Sequence, residues 1–190
     1  SSRNSGTSNS LSGITYGNST FVTVGSSGTV LSSSDGTTWT SVNSITHTYD
    51  NGTTDNISSY DVTYGNGTFV VVSPNGLIFT STDVTSSWTK STSGTSNNLN
   101  GVTYGNSTFV SVGNSGTIIT SSDGTSWDNS TSGTSNGLSG VTYGNSKFVA
   151  IGNSGTIVAS SDGTSWDNVT TTADNGSTIN YTTNNLNGVT

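Results

Sequence analysis

The chain has 190 residues and a formal net charge of −7, and only 7% of its residues are charged. Its three cationic side chains, Arg3, Lys90 and Lys147, are too few to bind a phosphate backbone or an anionic membrane surface, so the composition excludes nucleic acid and membrane as partners. There is no cysteine to form a disulfide, and no apolar run approaches the roughly 20 residues that a membrane-spanning helix needs.

The predicted fold class is all-β. Serine, threonine, glycine and asparagine together make up most of the chain, and only 27% of the residues are hydrophobic. Such a composition is typical of disorder, but here the apolar residues are concentrated in short β-branched runs such as FVTVG, GTIIT and GTIVAS. Glutamate and methionine are absent, and β-branched and turn-forming residues occur throughout, which disfavours helices.

The first predicted strands follow one another closely. GITY leads through the turn GNS into TFVTV, which leads through GSSG into TVLSSS, and an aspartate turn then leads into WTSV. In the second strand Val22 and Val24 occupy alternate positions, and the pattern recurs in three further copies of the strand. A period of two predicts one buried face on this strand, with Phe21 and its equivalents on the other face.

This unit recurs along the chain. The motif TYGN aligns Tyr16, Tyr64, Tyr104 and Tyr143, and the longest interval is the first. Four antiparallel strands in about 40 residues have the size of a propeller blade, so we predict a β-propeller-like array of four-stranded antiparallel blades. The whole chain, 1–190, is then a single repeat domain. Its blades are predicted at approximately 8–48, 56–94, 95–133 and 134–182, and residues 183–190 add the first strand of a fifth blade.

Two longer segments separate the blades, His47–Asp61 and Thr171–Asn185. Oxygen side chains in the first segment could ligate Ca²⁺, but their spacing matches no EF-hand pattern. These side chains belong to Asp50, Asn51, Asp55 and Asp61. We interpret both segments as solvated loops and predict no cofactor and no metal site.

A short aspartate–tryptophan motif precedes the last strand of each blade. SSDGTSW occurs at Ser121–Trp127 and Ser160–Trp166, SSDGTTW occurs at Ser33–Trp39, and the second blade carries the divergent STDVTSSW. The residues concerned are Asp35 and Trp39, Asp83 and Trp88, Asp123 and Trp127, and Asp162 and Trp166.

This motif resembles the Asp-box, or bacterial neuraminidase repeat, with the family pattern Ser/Thr-x-Asp-x-Gly-x-x-Trp. The resemblance covers about Leu11 to Trp166 and implies a β-propeller, the fold of that family. Three copies are one residue shorter than the pattern between Asp and Trp, and the second copy has the family length but lacks the glycine.

Two roles are open for these residues. An aspartate carboxylate can accept hydrogen bonds from backbone N–H groups two or three residues further on, and a tryptophan can pack between neighbouring blades. The alternative is a row of tryptophans that stack on a carbohydrate, with aspartates bonding its hydroxyls. We favour the folding role because a chain so poor in large apolar residues needs its four tryptophans in the core. Asp123→Ala and Trp127→Ala should then each lower the melting temperature without changing any ligand affinity.

The resemblance to sialidases does not extend to their chemistry. That family's catalysis uses an arginine cluster, a tyrosine nucleophile assisted by glutamate, and an acidic acid/base residue, whereas this chain has one arginine, Arg3, and no glutamate. Two aspartates could still serve a glycosidase, but most aspartates here belong to turns. His47 is the only histidine and lies in a polar loop. We therefore predict that the chain is not an enzyme and has no catalytic residue.

The surface is predicted to be neutral and rich in hydroxyl groups, which favours an extracellular or cell-surface location. Nine Asn-x-Ser/Thr sequons are candidate glycosylation sites, about the number that chance gives for this composition. They are Asn18, Asn51, Asn56, Asn66, Asn106, Asn129, Asn168, Asn175 and Asn180.

The predicted function is a secreted structural or assembly subunit whose partner is itself. The chain has five copies of the first strand for four blades, so the surplus strand can pair with an exposed strand edge of a neighbour. Such a head-to-tail contact propagates as a filament unless its rotation closes. The surplus strand consists of Leu186, Asn187, Gly188, Val189 and Thr190.

Three alternatives stay open at this point. The surplus strand could cover an edge within its own ring, and the chain could instead be a binding module that recognises a glycan or a protein. It could also be a fragment of a larger Asp-box propeller.

Overall fold

The computed structural model describes residues 5–169 and 184–190. These residues form four antiparallel four-stranded sheets, called blades 1 to 4 in chain order, and one two-stranded hairpin. Within each blade the strands are hydrogen-bonded in chain order, from an inner first strand to an outer fourth strand. The predicted all-β array of four-stranded antiparallel blades is confirmed. Over the described residues no helix has the length and apolar character needed to cross a membrane.

The strand bounds follow the sequence repeat. Blade 1 contains β1 (Leu11–Gly17), β2 (Thr20–Gly25), β3 (Val30–Ser33) and β4 (Thr40–Ser41). The hairpin contains β5 (Thr46–Thr48) and β6 (Thr54–Asn56). Blade 2 contains β7 (Asp61–Gly65), β8 (Thr68–Val72), β9 (Ile78–Ser81) and β10 (Thr89–Ser91). Blade 3 contains β11 (Leu99–Gly105), β12 (Thr108–Gly113), β13 (Ile118–Ser121) and β14 (Asp128–Ser130). Blade 4 contains β15 (Leu138–Gly144), β16 (Lys147–Gly152), β17 (Ile157–Ser160) and β18 (Asp167–Asn168).

Tight turns join the first two strands of every blade. In blade 1 the two turn residues, Asn18 and Ser19, have φ of 48° and 58°. Positive φ at both central residues is the requirement of a type I′ hairpin turn, and asparagine tolerates it best among non-glycine residues. The GN dipeptide that follows each repeated tyrosine therefore sets where β1, β7, β11 and β15 end and the next strand begins.

The core consists of three clusters, one at each junction between consecutive blades. Val22 of blade 1 packs with Phe69 and Phe79 of blade 2, and the same arrangement recurs between blades 2 and 3 and between blades 3 and 4. Because a middle blade has a neighbour on either side, both faces of its second strand are buried. Val110 and Phe109, which lie on opposite faces of β12, are both 0% exposed. The prediction of a single buried face is therefore wrong for the middle blades.

The segment predicted as a solvated loop between blades 1 and 2 is more ordered than expected. Its tip is exposed, but β5 and β6 form a hairpin, and Ile45 and Ile57 at its base are 0% and 7% exposed. The two are joined by a hydrogen bond of 2.9 Å from the Ile57 N–H to the Ile45 carbonyl. Burial of this isoleucine pair in the junction between blades 1 and 2 explains why the segment folds back instead of staying solvated.

Candidate interaction faces at the two ends of the blade array

A tyrosine–glycine contact holds each pair of consecutive blades together at the inner strands. The ring of Tyr64 lies directly on Gly17 of the preceding blade, and a Cβ atom added to this glycine would overlap the ring. The same contact joins Tyr104 to Gly65, and Tyr143 to Gly105. Glycine is required here because only a residue without a side chain lets the ring approach the backbone so closely.

The repeated tyrosine is held in place by the phenylalanine that faces it across the hairpin. In every blade the two ring centroids lie 4.6 Å apart, for example Tyr104 and Phe109 in blade 3. Aromatic pairs at this separation attract each other beyond the effect of burial alone. The phenylalanine of the same blade therefore fixes the orientation of the tyrosine ring that contacts the glycine of the preceding blade.

Blade 1 has the tyrosine, but no described residues form a blade before it, and the apolar side chains of its first strand are exposed. Leu11, Ile14 and Tyr16 on β1 are 40%, 61% and 58% exposed. We call these three residues the leading face. Their equivalents in the later blades are covered: Leu99 is 0% exposed, and Val102, at the position of Ile14, is 4% exposed. The leading face is thus an inter-blade contact surface without its partner among the described residues.

Blade 4 has the complementary surface at the opposite end of the array. Gly144 stands at the position of Gly17, Gly65 and Gly105, but it is exposed, and no described residue lies within 4 Å of the place that its Cβ would take. We call Gly140, Gly144 and Gly152 the trailing face. Among the described residues, Tyr16 therefore lies on no glycine of a preceding blade, and Gly144 has no tyrosine of a following blade on it.

Residues 184–190, called here the terminal segment, lie on the trailing face of their own chain. The Leu186 N–H donates to the Gly152 carbonyl at 3.1 Å, and the Gly155 N–H donates to the Asn184 carbonyl at 2.9 Å. Equivalent bonds join blade 2 to blade 1, from the Ser59 N–H to the Gly25 carbonyl at 3.0 Å and from the Gly28 N–H to the Ile57 carbonyl at 3.1 Å.

The terminal segment thus lies where the first strand of a fifth blade would lie. Val189 lies against Gly140, with its Cγ1 3.6 Å from the position of an added Cβ. Leu186 and Val189 are only half-buried, and the other described residues of the segment are exposed. The five residues Leu186 to Thr190 form no sheet with any strand of the described part of the chain. Their pairing with a neighbouring chain stays a prediction.

The repeated aspartates organise tight turns between the third and fourth strands. In blade 3 the Thr125 and Ser126 N–H groups donate to Asp123 Oδ1 at 2.7 Å and 3.0 Å, and the Ser121 hydroxyl donates to the same oxygen at 3.0 Å. These bonds, the one from Ser126 foremost, hold the pKa of the Asp123 carboxyl well below its usual range. Asp35 and Asp162 have the same geometry and the same direction of pKa shift.

The tryptophan that follows each turn packs inward in blades 3 and 4. Trp127 is 8% exposed and its Nε1–H donates to the Gly124 carbonyl at 3.0 Å, while Trp166 is 7% exposed and bonds Gly163 at 2.8 Å. Trp39 in blade 1 is half-buried. The covered rings of Trp127 and Trp166 cannot stack on a carbohydrate in this conformation, which favours the folding role for these two residues.

Blade 2 departs from this arrangement as its sequence does. Val84 takes the place of the glycine and is 6% exposed, and Asp83 Oδ1 accepts a backbone bond from the Thr85 N–H at 2.9 Å. Hydrogen bonds from Thr85 lower the pKa of Asp83. The Nε1–H of Trp88 is buried without a hydrogen-bond partner. The longer turn thus fills the junction with valine but leaves the indole donor unsatisfied.

Sequence reasoning gave no structural role to Asp61, which bridges two blades. It begins β7 at a position where blades 1, 3 and 4 have glycine, and its Oδ2 accepts a bond of 3.0 Å from the Val102 N–H of blade 3. Its Oδ1 accepts from the Val62 N–H at 2.8 Å. Burial raises the pKa of the Asp61 carboxyl to about 6 against the lowering effect of these bonds. Alignment of the four repeats could have singled out Asp61, because the other three repeats have glycine at this position.

The remaining titratable residues of the described part of the chain lie apart from one another or form small local contacts. Over residues 5–169 and 184–190, no three His, Cys, Asp or Glu side chains converge on a metal-sized site, so the acidic side chains from Asp50 to Asp61 are not brought together. His47 packs edge-on against Tyr49, with ring centroids 4.5 Å apart, and Lys90 Nζ lies 3.4 Å from its Nε2. Desolvation, and then the charge of Lys90, lowers the His47 pKa. That the chain is not an enzyme stays a prediction.

The sequons in the described part of the chain all lie on the surface. Each of these seven asparagines is exposed: Asn18, Asn51, Asn56, Asn66, Asn106, Asn129 and Asn168. Asn175 and Asn180 lie outside the described residues. Exposure makes attachment of a glycan sterically feasible and does not test whether it occurs.

Comparisons with known proteins place the chain among β-propellers by structure. No protein family matches the sequence, and no curated protein matches it. A solved structure of YCF48 bound to D1 peptide has a TM-score of 0.57 and 19% identity over 84% of this chain and 52% of its own length. YCF48 from Cyanidioschyzon merolae has a TM-score of 0.61 and 17% identity over 88% of this chain and 58% of its own. An ancestral GH74 enzyme reaches 0.67 and 16% identity over 90% of this chain and 25% of its own.

These likenesses establish the propeller fold and nothing finer. The highest of the three identities is 19%, so neither an enzymatic nor a binding activity carries over to this chain. The chain spans about half the length of the YCF48 structures that it resembles.

Proposed function

We propose that this chain is a structural subunit that assembles head to tail through the two ends of its blade array. The observation that supports the proposal is the tyrosine–glycine contact. Among the described residues it is made three times, and Tyr16 of blade 1 and Gly144 of blade 4 are left uncovered. A contact between two different surfaces of identical chains is heterologous, so it gives a filament, or a ring if the rotation closes.

The setting that we propose is extracellular. A surface with three cations, no cysteine and many hydroxyl groups suits an exported structural protein, and the exposed asparagines of the sequons offer sites for glycosylation. Addition of the strand from Leu186 to Thr190 to a neighbouring chain is one route by which such an assembly could form.

The proposal is tested by the mass of the purified chain in solution. Sedimentation equilibrium and light scattering over a wide concentration range should show a mass that rises above that of one 19.2 kDa chain. Electron microscopy of the concentrated sample should show closed rings or filaments. A mass that stays at one chain at the highest concentration, for the full chain and for a variant without residues 184–190, would refute self-assembly.

A second candidate function is a propeller module that binds a protein or a glycan. The comparison that favours it is the YCF48 structure with a bound D1 peptide, which is a property of that protein. In that case, or if the chain is part of a larger Asp-box propeller, the leading face is covered by a partner protein or by further blades. Glycan-array or peptide-library binding by a chain that stays monomeric would support this second function.

A further inference from the structure

We infer that the contact between two copies is made by β1 of one copy, which replaces the terminal segment on the trailing face of the other copy and seats Tyr16 on Gly144. This inference rests on the proposed function and specifies its interface. It makes the terminal segment a displaceable cap, because that segment and an incoming β1 need the same place.

The first argument is that β1 and the terminal segment have similar sequences and can bind the same place on the trailing face. Leu11 and Leu186 occupy the same repeat position, as do Asn9 and Asn184, and the sequences SNSLSGIT and TNNLNGVT differ mainly by conservative exchanges. In the terminal segment the Leu186 N–H bonds the Gly152 carbonyl, and the Gly155 N–H bonds the Asn184 carbonyl. An incoming β1 presents the backbone groups of residues 9–11 for the same bonds.

The second argument is that β1 fills the trailing face more completely. The terminal segment covers Gly140 with Val189, but none of its described residues lies on Gly144. β1 brings the repeated tyrosine on a folded blade, with the Tyr16 ring already positioned 4.6 Å from Phe21. Docking of β1 also covers Leu11 and Ile14, which are otherwise exposed. Burial of apolar area therefore favours the second copy over the cap.

The third argument is that this interface already exists inside the chain. Blades 1 and 2, 2 and 3, and 3 and 4 meet through the same pair of surfaces, with tyrosine on glycine each time. The two uncovered surfaces are complementary, since a second leading face lacks the glycine on which the tyrosine lies at every junction within the chain. A second copy supplies the surface of the right kind at each end.

The decisive experiment uses two complementary blocking variants. Tyr16→Arg disables the leading face, and Gly144→Arg fills the trailing face at a position where an added Cβ meets no described residue within 4 Å. Each variant alone should be monomeric, with its dissociation constant raised at least about tenfold. An equimolar mixture should give a 1:1 heterodimer and no larger species, because each partner keeps the surface that the other has lost.

Two controls protect this result. Thr53→Arg adds the same charge on the exposed tip of the hairpin and should leave the assembly unchanged. Circular dichroism spectra of both blocking variants should match that of the parent chain. The melting temperature of Gly144→Arg should match as well, since Gly144 is unobstructed, whereas Tyr16→Arg loses the ring contact with Phe21 and should melt somewhat lower while staying folded.

Deletion of residues 184–190 separates this mechanism from strand addition. If the segment is a cap, its removal should strengthen association at least about tenfold. If the segment instead donates a strand to a neighbour, its removal should abolish association, and this result would overturn the inference. Assemblies of the parent chain that persist in both arginine variants would also overturn it, while leaving self-assembly itself in place through another surface.

Discussion

Trp127 and Trp88 occupy the same position in the repeat but differ in their hydrogen bonding. The indole N–H of Trp127 donates to the Gly124 carbonyl, whereas that of Trp88, which follows a turn longer by one residue, is buried without a partner. An unsatisfied buried donor carries its full desolvation penalty, so the two indole N–H groups affect stability in opposite directions.

Replacing each tryptophan by phenylalanine should reveal this difference. Both Trp127→Phe and Trp88→Phe lose some ring volume, but only Trp127→Phe loses a hydrogen bond, and Trp88→Phe removes an unsatisfied donor. We expect the free energy of unfolding to fall by at least about 1 kcal/mol more in Trp127→Phe than in Trp88→Phe. Urea unfolding monitored by circular dichroism measures both values. Equal losses would contradict the hydrogen-bond assignment.

Asp61 makes the stability of the chain depend on pH in the opposite sense to the aspartates of the turns. The pKa of its carboxyl is raised from 3.8 to about 6 in the folded chain, so the folded state holds this proton more tightly than the unfolded state. Its contribution to stability is complete below pH 3.8 and is lost as the pH rises through about 6. The turn aspartates have lowered pKa values, so their contribution is lost only in acid.

Asp61→Asn should remove the loss of stability between pH 4 and pH 7. The parent chain should lose roughly 2 kcal/mol of this contribution over the interval, whereas the variant has no group to ionise at this position. Melting temperatures measured at both pH values in the parent, in Asp61→Asn and in the exposed control Asp128→Asn give the comparison. A slope in Asp61→Asn equal to that of the parent would show that another group is responsible.

At the level of elements, the first strands of successive blades are locked by the tyrosine–glycine contact. Gly105 and Gly144 stand at the same place in β11 and β15, but Tyr143 lies on Gly105 and no described residue lies on Gly144. A comparison of substitutions at Gly105 and Gly144 therefore measures the contribution of the contact with the following blade, because the local sequence TYGN is the same at both sites.

Gly105→Ala should destabilise the chain and Gly144→Ala should not. The added methyl group overlaps the Tyr143 ring in the first case and meets open space in the second. We expect a loss of about 1–3 kcal/mol for Gly105→Ala and a change within about 0.5 kcal/mol for Gly144→Ala. Chemical denaturation of both variants provides the test, and similar losses would contradict the proposed role of the next blade.

The elements were predictable because each depends on residues close to it in sequence. The GN turns, the β-branched runs and the Asp turns are local, and four copies of TYGN show their period. The reason for the glycine in TYG lies in the next blade, a whole repeat further along the chain, so no local pattern reveals it. The bridge from Asp61 to Val102 and the unsatisfied Trp88 N–H occur where blade 2 differs in sequence from the other blades. A prediction based on what the repeats share overlooks such differences.

For the whole molecule, stability comes from contacts between consecutive blades. The three core clusters each join one blade to the next, so a middle blade is held on both sides, and blade 1 is covered by blade 2 alone among the described residues. In such a linear array the stability of a unit is the sum of its own term and its nearest-neighbour terms. The end blade with the exposed leading face should open first.

Hydrogen exchange should therefore be faster in blade 1 than in blade 3. The backbone amides of β1 and β11 belong to the same repeat position, and we expect those of β1 to exchange at least about tenfold faster in a monomeric sample. Mass spectrometry of peptides that cover residues 11–17 and 99–105 gives both rates. Equal protection of the two strands would mean that the four blades open as one cooperative unit.

The identity of the junctions between blades has a consequence for how the array could change in length. Blades 3 and 4 are near copies of one segment, and each carries both the tyrosine that its predecessor needs and the glycine that its successor needs. A gene that duplicates or loses one such segment by unequal recombination encodes a chain in which a tyrosine again faces a glycine at every new junction. The number of blades can then vary without any compensating substitution, and near-identical repeats favour such recombination.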